Sequence, residues 1–262
     1  MELGIAGRKA LVTGGSMGIG RACAEALAAE GVDVAIVARN EGRLRAAAAE
    51  MATNRTGRVV PLTGDMSKAA DVERAVAEAR TALGQIDILV NNAGSAPAGL
   101  IGEVDDATWQ ACFDLKLMGY VRCARAVIPE MRSRRWGRVI NIIGRGGHHP
   151  SAQYIAGGAI NAALLNVTQA LAEECGRDSV LVNGVNPAAT ATPRQEALVR
   201  QKMSITGQTE EQVRAASAAR NPLGRIATPE DIASMVAFLC SERTSFVNGA
   251  LIEVDGGASR AL

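Results

Sequence analysis

The residues with the clearest chemical potential form a glycine-rich turn near the N-terminus. The turn reads TGGSMGIG at positions 13–20, follows the apolar run KALV at 9–12, and precedes an alanine-rich segment at 21–30. Gly14 permits a sharp turn off a strand, Gly18 permits backbone N–H groups to approach a pyrophosphate, and Gly20 permits a helix to pack closely on the sheet. The sequence therefore predicts a strand, a glycine turn and a helix that together bind a dinucleotide, the alternative being an ordinary strand-to-helix turn.

Strand-like and helix-like segments alternate along the whole chain. Short apolar runs lie at 11–13, 32–37, 58–62, 86–90, 138–143, 179–185 and 250–254, and helix-forming segments begin near 18 or span 43–51, 69–83, 106–132, 154–175 and 229–240. This alternation predicts an α/β fold with a doubly wound parallel sheet covered on both faces, in a single domain over residues 1–262. Ligands of such sheets bind at the carboxyl ends of the strands.

The stretch 188–225 is polar and too long for a simple connection between elements. We predict an irregular lid over the substrate here, and the alternative is a solvated helical excursion without a function.

Composition and charge restrict the classes of partner. The net charge of +1 gives no reason to expect nucleic acid or an acidic membrane surface, and no stretch reaches the length of a membrane-spanning helix. The N-terminus enters the first predicted strand almost at once. Five scattered cysteines lack the spacing of metal ligands and are typical of buried thiols in a reducing compartment. We therefore expect a cytoplasmic protein with no metal, no nucleic acid partner and no membrane.

Further motifs follow the predicted strands in a fixed order. Asp65 follows the third strand, NNAG at 91–94 the fourth, Tyr154 the fifth, Asn186-Pro187 the sixth and DGG at 255–257 the last. With the glycine turn, this order resembles the short-chain dehydrogenase/reductase family from end to end. The resemblance implies a seven-stranded Rossmann sheet, a nicotinamide dinucleotide, hydride transfer between a carbonyl and an alcohol substrate, and a homodimer or homotetramer.

The resemblance also assigns residues to the cofactor. It places Ser16 and Ile19 at the pyrophosphate, Asp65 and Met66 at the adenine, Asn91 and Gly94 near the ribose, and Pro187 and Thr192 at the nicotinamide.

The end of the second strand governs the choice of cofactor. An enzyme that uses NAD usually has an acidic residue there for the ribose 2′-OH, but this chain has Ala38 and then Arg39. A guanidinium suits a 2′-phosphate, so we favour NADP(H). NAD(H) stays possible, because Met17 adds no second basic residue in the glycine turn and Arg39 could stack on the adenine.

The catalytic set of the family is Asn, Ser, Tyr and Lys, and only Tyr154 matches it plainly. Gly158 stands where the lysine is expected one helical turn later, and Ile143-Gly144 stands where the serine is expected. Counting from Trp109 places Lys116 at the position of the asparagine. Tyr154 is the predicted acid/base residue.

Lys116 is an unusual substitution in a chain with only four lysines. It lies beside a predicted apolar stripe on the fourth helix, made up of Trp109, Phe113, Leu117, Tyr120 and Ala124. We hypothesise a relocated lysine: Lys116 reaches the volume vacated at Gly158, favours ionisation of Tyr154 and binds the ribose hydroxyls. The alternative is that its ammonium extends to solvent or to an oligomer interface.

The missing serine and asparagine have no clear replacements in the sequence. Ser151, His148 and His149 lie close to Tyr154, and Asn161 lies two helical turns after it on the same face. Three functions therefore stay open: an oxidoreductase acting on a ketone or secondary alcohol, a dinucleotide-binding sensor or scaffold without catalysis, and an enzyme of different chemistry such as an epimerase or dehydratase.

Overall fold

A parallel sheet of seven strands organises the part of the chain that the computed structural model describes, residues 2–53 and 57–259. The strands are β1 (Lys9–Thr13), β2 (Asp33–Ala38), β3 (Val59–Thr63), β4 (Ile88–Asn91), β5 (Gly137–Ile142), β6 (Val180–Pro187) and β7 (Leu251–Val254). Their order is β3-β2-β1-β4-β5-β6-β7, and every neighbouring pair is parallel. The predicted doubly wound α/β fold in a single domain is confirmed.

Helices cover both faces of this sheet. They are α1 (Gly18–Ala29), α2 (Glu41–Ala52), α3 (Ala69–Leu83), α4 (Asp106–Cys112), α5 (Gly119–Ser133), α6 (Ile155–Cys175), α7 (Pro193–Thr206), α8 (Glu210–Ala218) and α9 (Pro229–Cys240). Side chains of a strand alternate between faces. Ala10 and Val12 of β1 pack with α1, α2 and α9, whereas Leu11 packs with α3 and α5.

The strand order reverses between β1 and β4, which lie side by side although two strands separate them in the chain. The loops after these strands diverge and leave a crevice at their carboxyl ends. Asn92 joins the two loops, because its Nδ2 donates to the carbonyl oxygen of Thr13 at 2.9 Å. The glycine turn and the loop after β4 therefore form one wall of the crevice.

The fourth predicted helix is interrupted by a π-helical segment at Phe113–Met118, between α4 and α5. A π turn contains more residues than an α turn and shifts the buried face along the sequence. The predicted stripe is therefore wrong at Phe113, which is 41% exposed, while Cys112, Lys116 and Tyr120 are buried. The expectation that the Lys116 stem lies on the buried face is confirmed.

The stretch 188–225 is more regular than predicted, since α7 and α8 occupy most of it. Thr192 caps α7 and Pro193 follows at its first position, whereas Thr209 and Gln212 form a capping box on α8. Both features are helix-start signals in the sequence. The helix α7 could not be predicted from apolar periodicity, because it contains few apolar residues.

The expectation that no stretch reaches the length of a membrane-spanning helix is wrong for α6. By length and composition it could cross a membrane, which the sequence analysis missed. In this fold it packs along β6, and ten of its 21 residues are buried. All five cysteines are buried free thiols.

Candidate active site

The glycine turn after β1 has the backbone geometry of the predicted phosphate site. Gly14 and Gly18 adopt positive φ angles of 69° and 56°, which L side chains rarely adopt. A Cβ at Gly18 would meet Thr192 Cγ2 at 3.0 Å, and a Cβ at Gly20 would collide with the Gly14 carbonyl. The turn therefore needs these glycines to fit under the crevice and to bring α1 onto the sheet.

One cleft of about 580 Å³ runs along the carboxyl ends of the strands. Most of the residues predicted from the sequence line it: Gly14, Ser16, Gly18, Ile19, Arg39, Met66, Gly94, Lys116, Tyr154, Pro187 and Thr192. The cleft extends from the end of β2, past the glycine turn, to the loops after β5 and β6. No aspartate or glutamate lies among its lining residues in the described part of the chain.

Gly20, Asp65 and Asn91 do not lie among the lining residues. The Asp65 carboxylate accepts hydrogen bonds from the Ser67 N–H and hydroxyl, at 3.0 and 2.8 Å. Asn91 is buried in the sheet, where its Nδ2 donates to Asn141 Oδ1 at 2.9 Å. Both side chains stabilise the walls of the cleft, and their predicted contacts with a cofactor stay predictions.

Two arginines line the cleft at the end of β2. Arg39 follows the strand, and Arg43 lies in the first turn of α2, whose N-cap Asn40 accepts from the Arg43 N–H at 2.8 Å. The Arg43 guanidinium contacts the Met17 sulfur at 3.9 Å. Sequence reasoning missed Arg43, although the cap at Asn40 and the spacing of four from Arg39 were visible in the sequence.

The phenol of Tyr154 lies over the first turn of α6. A Cβ at Gly157 would collide with the Tyr154 ring, and a Cβ at Gly146 would lie 3.3 Å from its Cδ1. The ring is thus held between two glycines. Its oxygen accepts a hydrogen bond of 3.1 Å from Nη2 of Arg194, which also donates to the Ala96 carbonyl at 3.1 Å. Sequence reasoning missed Arg194, in the stretch predicted as a lid.

Lys116 enters the same cleft from the π-helical segment. Its side chain is 8% exposed, and its stem passes so close to Gly94 that a Cβ there would lie 2.9 Å from Lys116 Cδ. The ammonium donates to the Ile143 carbonyl at 2.5 Å and to Asn161 Oδ1 at 2.7 Å. Burial, with a smaller contribution from the charge of Arg194, lowers the pKa of Lys116 to about 7.

The ammonium of Lys116 lies elsewhere than the hypothesis placed it. Within 4 Å of a Cβ built on Gly158, the described residues offer only the Gly146 carbonyl oxygen, at 3.2 Å. The ammonium instead donates to the carbonyl oxygens of Ile143 and of the Asn161 side chain. These two acceptors lie at the carboxyl end of β5 and in α6. The alternative of an ammonium extended to solvent does not hold either.

The positions around the missing serine contain no nucleophile. Gly144 has a φ of 120°, and its carbonyl accepts from Asn161 Nδ2 at 3.4 Å. His148 pairs with Glu253 at 2.7 Å on the exposed side of the loop. Of the four candidates, His148, His149 and Ser151 do not line the cleft, whereas Asn161 does. Asn161 is the candidate that the structure brings to the site.

Comparisons with known proteins identify the class. The family model described as enoyl-(acyl carrier protein) reductase matches residues 14–259. The short-chain reductase NovJ of Streptomyces niveus is 37% identical over 95% of this chain and 92% of its own length. D-beta-hydroxybutyrate dehydrogenase of Cupriavidus necator is 34% identical, over 96% of this chain and 97% of its own. The chain belongs to the short-chain dehydrogenase/reductase family and is an enzyme of that family.

Solved structures agree with this assignment. The L-sorbose reductase of Gluconobacter frateurii, complexed with NADPH and L-sorbose, matches with a TM-score of 0.95 and 34% identity, and the match covers 100% of both chains. An actinorhodin polyketide ketoreductase with NADPH matches with a TM-score of 0.92 and 30% identity, over 97% of this chain and 98% of that one.

Proposed function

We propose that the protein is an NADP(H)-dependent oxidoreductase that interconverts a ketone and a secondary alcohol, with Tyr154 as the acid/base residue. The observation that carries this proposal is the shared cleft, which has a glycine turn suited to phosphates in its middle and the Tyr154 phenol near one end. Hydride transfer is the chemistry of the family to which the chain belongs.

The cofactor is NADP(H), and the cleft fits it. Arg39 and Arg43 supply two guanidiniums at the end of β2, where no lining carboxylate competes for the ribose. Ser16 and Ile19 of the glycine turn would hold the pyrophosphate, and Pro187 and Thr192 would border the nicotinamide. Similar solved reductases are described as complexes with NADPH. The bound cofactor would supply the hydride.

Tyr154 would transfer the proton to the carbonyl oxygen of the substrate. Arg194 donates a hydrogen bond to the phenolic oxygen, so its positive charge stabilises the negative charge that develops there when the proton leaves. The proton then returns to Tyr154 from solvent, since the residue is only half-buried. In the oxidation of an alcohol the same groups act in reverse.

In its protonated form, which a pKa of about 7 leaves substantially populated at neutral pH, Lys116 would supply the second positive charge of the site. An ammonium has three N–H donors, and Ile143 and Asn161 accept two of them. The third donor is left for a ribose hydroxyl or for the substrate. We therefore assign Lys116 a catalytic role in binding and charge stabilisation, at the position of the asparagine of the family.

The rest of the chain suggests how this site is enclosed and assembled. We propose that the stretch 188–225 is a lid, because Pro193, Arg194 and Leu198 of α7 line the cleft. The outward face of α6 exposes the small side chains of Ala159, Ala162 and Ala170, which would allow the same helix of a second copy to approach closely in a homodimer or homotetramer. Five free, buried thiols favour a cytoplasmic location.

A cofactor sensor or scaffold without turnover is the second candidate. Gly144 and Gly158 in place of the family serine and lysine favour it, since neither position offers a side chain to the reaction. An epimerase or dehydratase on the same cofactor would differ from both in consuming no NADPH overall.

The test combines NADPH labelled with deuterium at C4 with a series of ketones. We expect deuterium on the carbinol carbon of the product and net loss of NADPH absorbance, and a loss of about 10²- to 10⁴-fold in kcat for Tyr154→Phe. Lys116→Met should also lower kcat. Because the substitution replaces a buried charged group by an apolar side chain of similar length, we do not expect the lower activity to come from unfolding. NADPH binding without turnover would favour the sensor, and products without net oxidation would favour the epimerase.

A further inference from the structure

The arginines of the cleft have no carboxylate partner, whereas twelve other arginines in the described part of the chain form ion pairs. Arg39, Arg43, Arg145 and Arg194 line the cleft, and within the described residues none of them has a carboxylate oxygen within 4.0 Å. No acidic residue lines the cleft either, so within the described residues these guanidiniums form no direct ion pair. An unpaired cluster of guanidiniums in a cleft is suited to anionic ligands.

The four arginines lie at two separate ends of the cleft. Arg39 and Arg43 follow β2, whereas Arg145 follows β5 and Arg194 follows β6. Three strand spacings separate β2 from β5, which is roughly 14 Å along the sheet edge. The phosphate on the adenosine ribose accounts for the charge at the β2 end. It does not account for the charge beside Tyr154.

Arg194 is the arginine that is free to bind a ligand at the Tyr154 end. Arg145 is directed toward Ala258, whose carbonyl oxygen accepts a hydrogen bond from Arg145 Nη1 at 3.5 Å. Burial raises the pKa of Asp255, but hydrogen bonds from Ser259 and Gly257 and the nearby charge of Arg145 outweigh it and lower that pKa overall. Arg194 uses only Nη2, for the carbonyl of Ala96 and the hydroxyl of Tyr154. Its Nη1 and Nε have no hydrogen-bond partner among the described residues, and the side chain is exposed toward the cleft.

The second cation at this end is the Lys116 ammonium. Burial, and to a smaller extent the positive charge of Arg194, lowers the pKa of Lys116, so the two cations repel each other. An anion between them would remove this repulsion and would stabilise the protonated lysine. A negatively charged ligand group is therefore expected to bind favourably between the two cations.

We propose that Arg194 binds a carboxylate of the substrate, so that the enzyme acts on 2-oxo or 3-oxo acids and the corresponding hydroxy acids. The proposal rests on the proposed oxidoreductase function. Tyr154 Oη, which must reach the substrate carbonyl, lies 3.1 Å from Arg194 Nη2. A carboxylate on the remaining N–H groups of that guanidinium is therefore one or two carbons away from the reacting carbonyl. With a larger separation the substrate chain would have to fold back on itself to reach both groups.

The test measures binding to the complex of enzyme and NADPH. The probes are 3-oxobutanoate and its methyl ester, and 2-oxobutanoate and its methyl ester, titrated against the fluorescence of bound NADPH. We expect one of the acids to bind at least about tenfold more tightly than its ester, the factor expected for one charge-assisted hydrogen bond. Arg194→Gln should abolish this preference, and Arg194→Lys should retain part of it. Arg200→Gln, an exposed arginine of the same helix outside the cleft, is the matched control.

The outcomes separate this proposal from the proposed function. Equal binding of acids and esters, no binding of either at millimolar concentration, or an acid preference that survives Arg194→Gln would overturn the carboxylate site. A large loss of NADPH affinity in Arg194→Gln would also overturn it, because the arginine would then bind a phosphate of the cofactor. Arg194-dependent binding of the acids without any oxidation of NADPH would support the anion site and contradict the oxidoreductase.

Discussion

The guanidinium of Arg194 donates to the phenolic oxygen of Tyr154 across 3.1 Å, and this contact joins the first turn of α7 to the beginning of α6. The two helices lie on opposite sides of β6 in the sequence, α6 before it and α7 after it. The contact therefore connects the proposed lid to the proposed acid/base residue. The position of the phenol also depends on α6 itself, because its ring lies against Gly157.

The first prediction concerns this glycine. Gly157→Ala should move the phenol away from Arg194, because the added Cβ would occupy the space of the Tyr154 ring. We expect a loss of kcat approaching that of Tyr154→Phe, with NADPH affinity close to that of the wild type. The measurements are steady-state kinetics and a fluorescence titration with NADPH.

Gly158→Ala is the matched control for Gly157→Ala. Both substitutions exchange a helix-interior glycine for alanine, which stabilises a helix by about 1 kcal/mol where the space exists. At Gly158 the new Cβ would make a close contact of 3.2 Å with the Gly146 carbonyl oxygen, but it would not touch the Tyr154 ring. Activity should therefore fall in the first variant and persist in the second. Equal activity in the two variants would show that the ring does not need the space at Gly157.

The second prediction concerns the choice between NADPH and NADH. Replacing Arg39 or Arg43 by alanine should weaken NADPH binding by about 10-fold or more, because each removes a charge-assisted contact with the 2′-phosphate. NADH lacks that phosphate, so its affinity should change little. Arg45→Ala is the control on the same helix, since Arg45 pairs with Glu41 and does not line the cleft. Equal losses for NADPH and NADH would mean that the arginines act on the adenine instead.

The positions of the strands and the glycine turn could be predicted from the sequence because both depend on local patterns. Short β-branched runs specify strands, and the need for glycine at positive φ specifies the turn at Gly14 and Gly18. The burial of Lys116 could also be predicted, since its position four residues before Tyr120 placed it beside the apolar stripe. The hydrogen-bond partners of its ammonium could not be predicted, because Ile143 and Asn161 belong to other elements of the fold.

Arg194 and the π-helical segment could not be predicted for different physical reasons. Arg194 lies in a polar stretch where apolar periodicity is weak, so the sequence suggested neither α7 nor the direction of the side chain. The π turn changes the number of residues per turn, so a stripe counted with the α-helical period failed at Phe113. In both cases tertiary contacts select the local geometry.

The third prediction concerns the pH dependence of stability. Burial lowers the pKa of Lys116 to about 7 in the folded protein, from an ordinary value of 10.5. As the pH falls from about 10 to about 7, the unfolded chain binds a proton that the native protein does not bind. The free energy of unfolding of the wild type should therefore fall relative to that of Lys116→Met, by up to about 1.4 kcal/mol per pH unit. Below pH 7 both states are protonated and the difference should become constant.

Urea unfolding of the two proteins at a series of pH values measures this difference. Lys68→Met is the control, because Lys68 is an exposed lysine that does not line the cleft. Its difference from the wild type should show no such slope. A constant difference between the wild type and Lys116→Met from pH 7 to pH 10 would mean that Lys116 keeps its proton in the fold. The two acceptors at Ile143 and Asn161 would then outweigh the cost of burial, and the lysine would act in the cleft as a permanent cation.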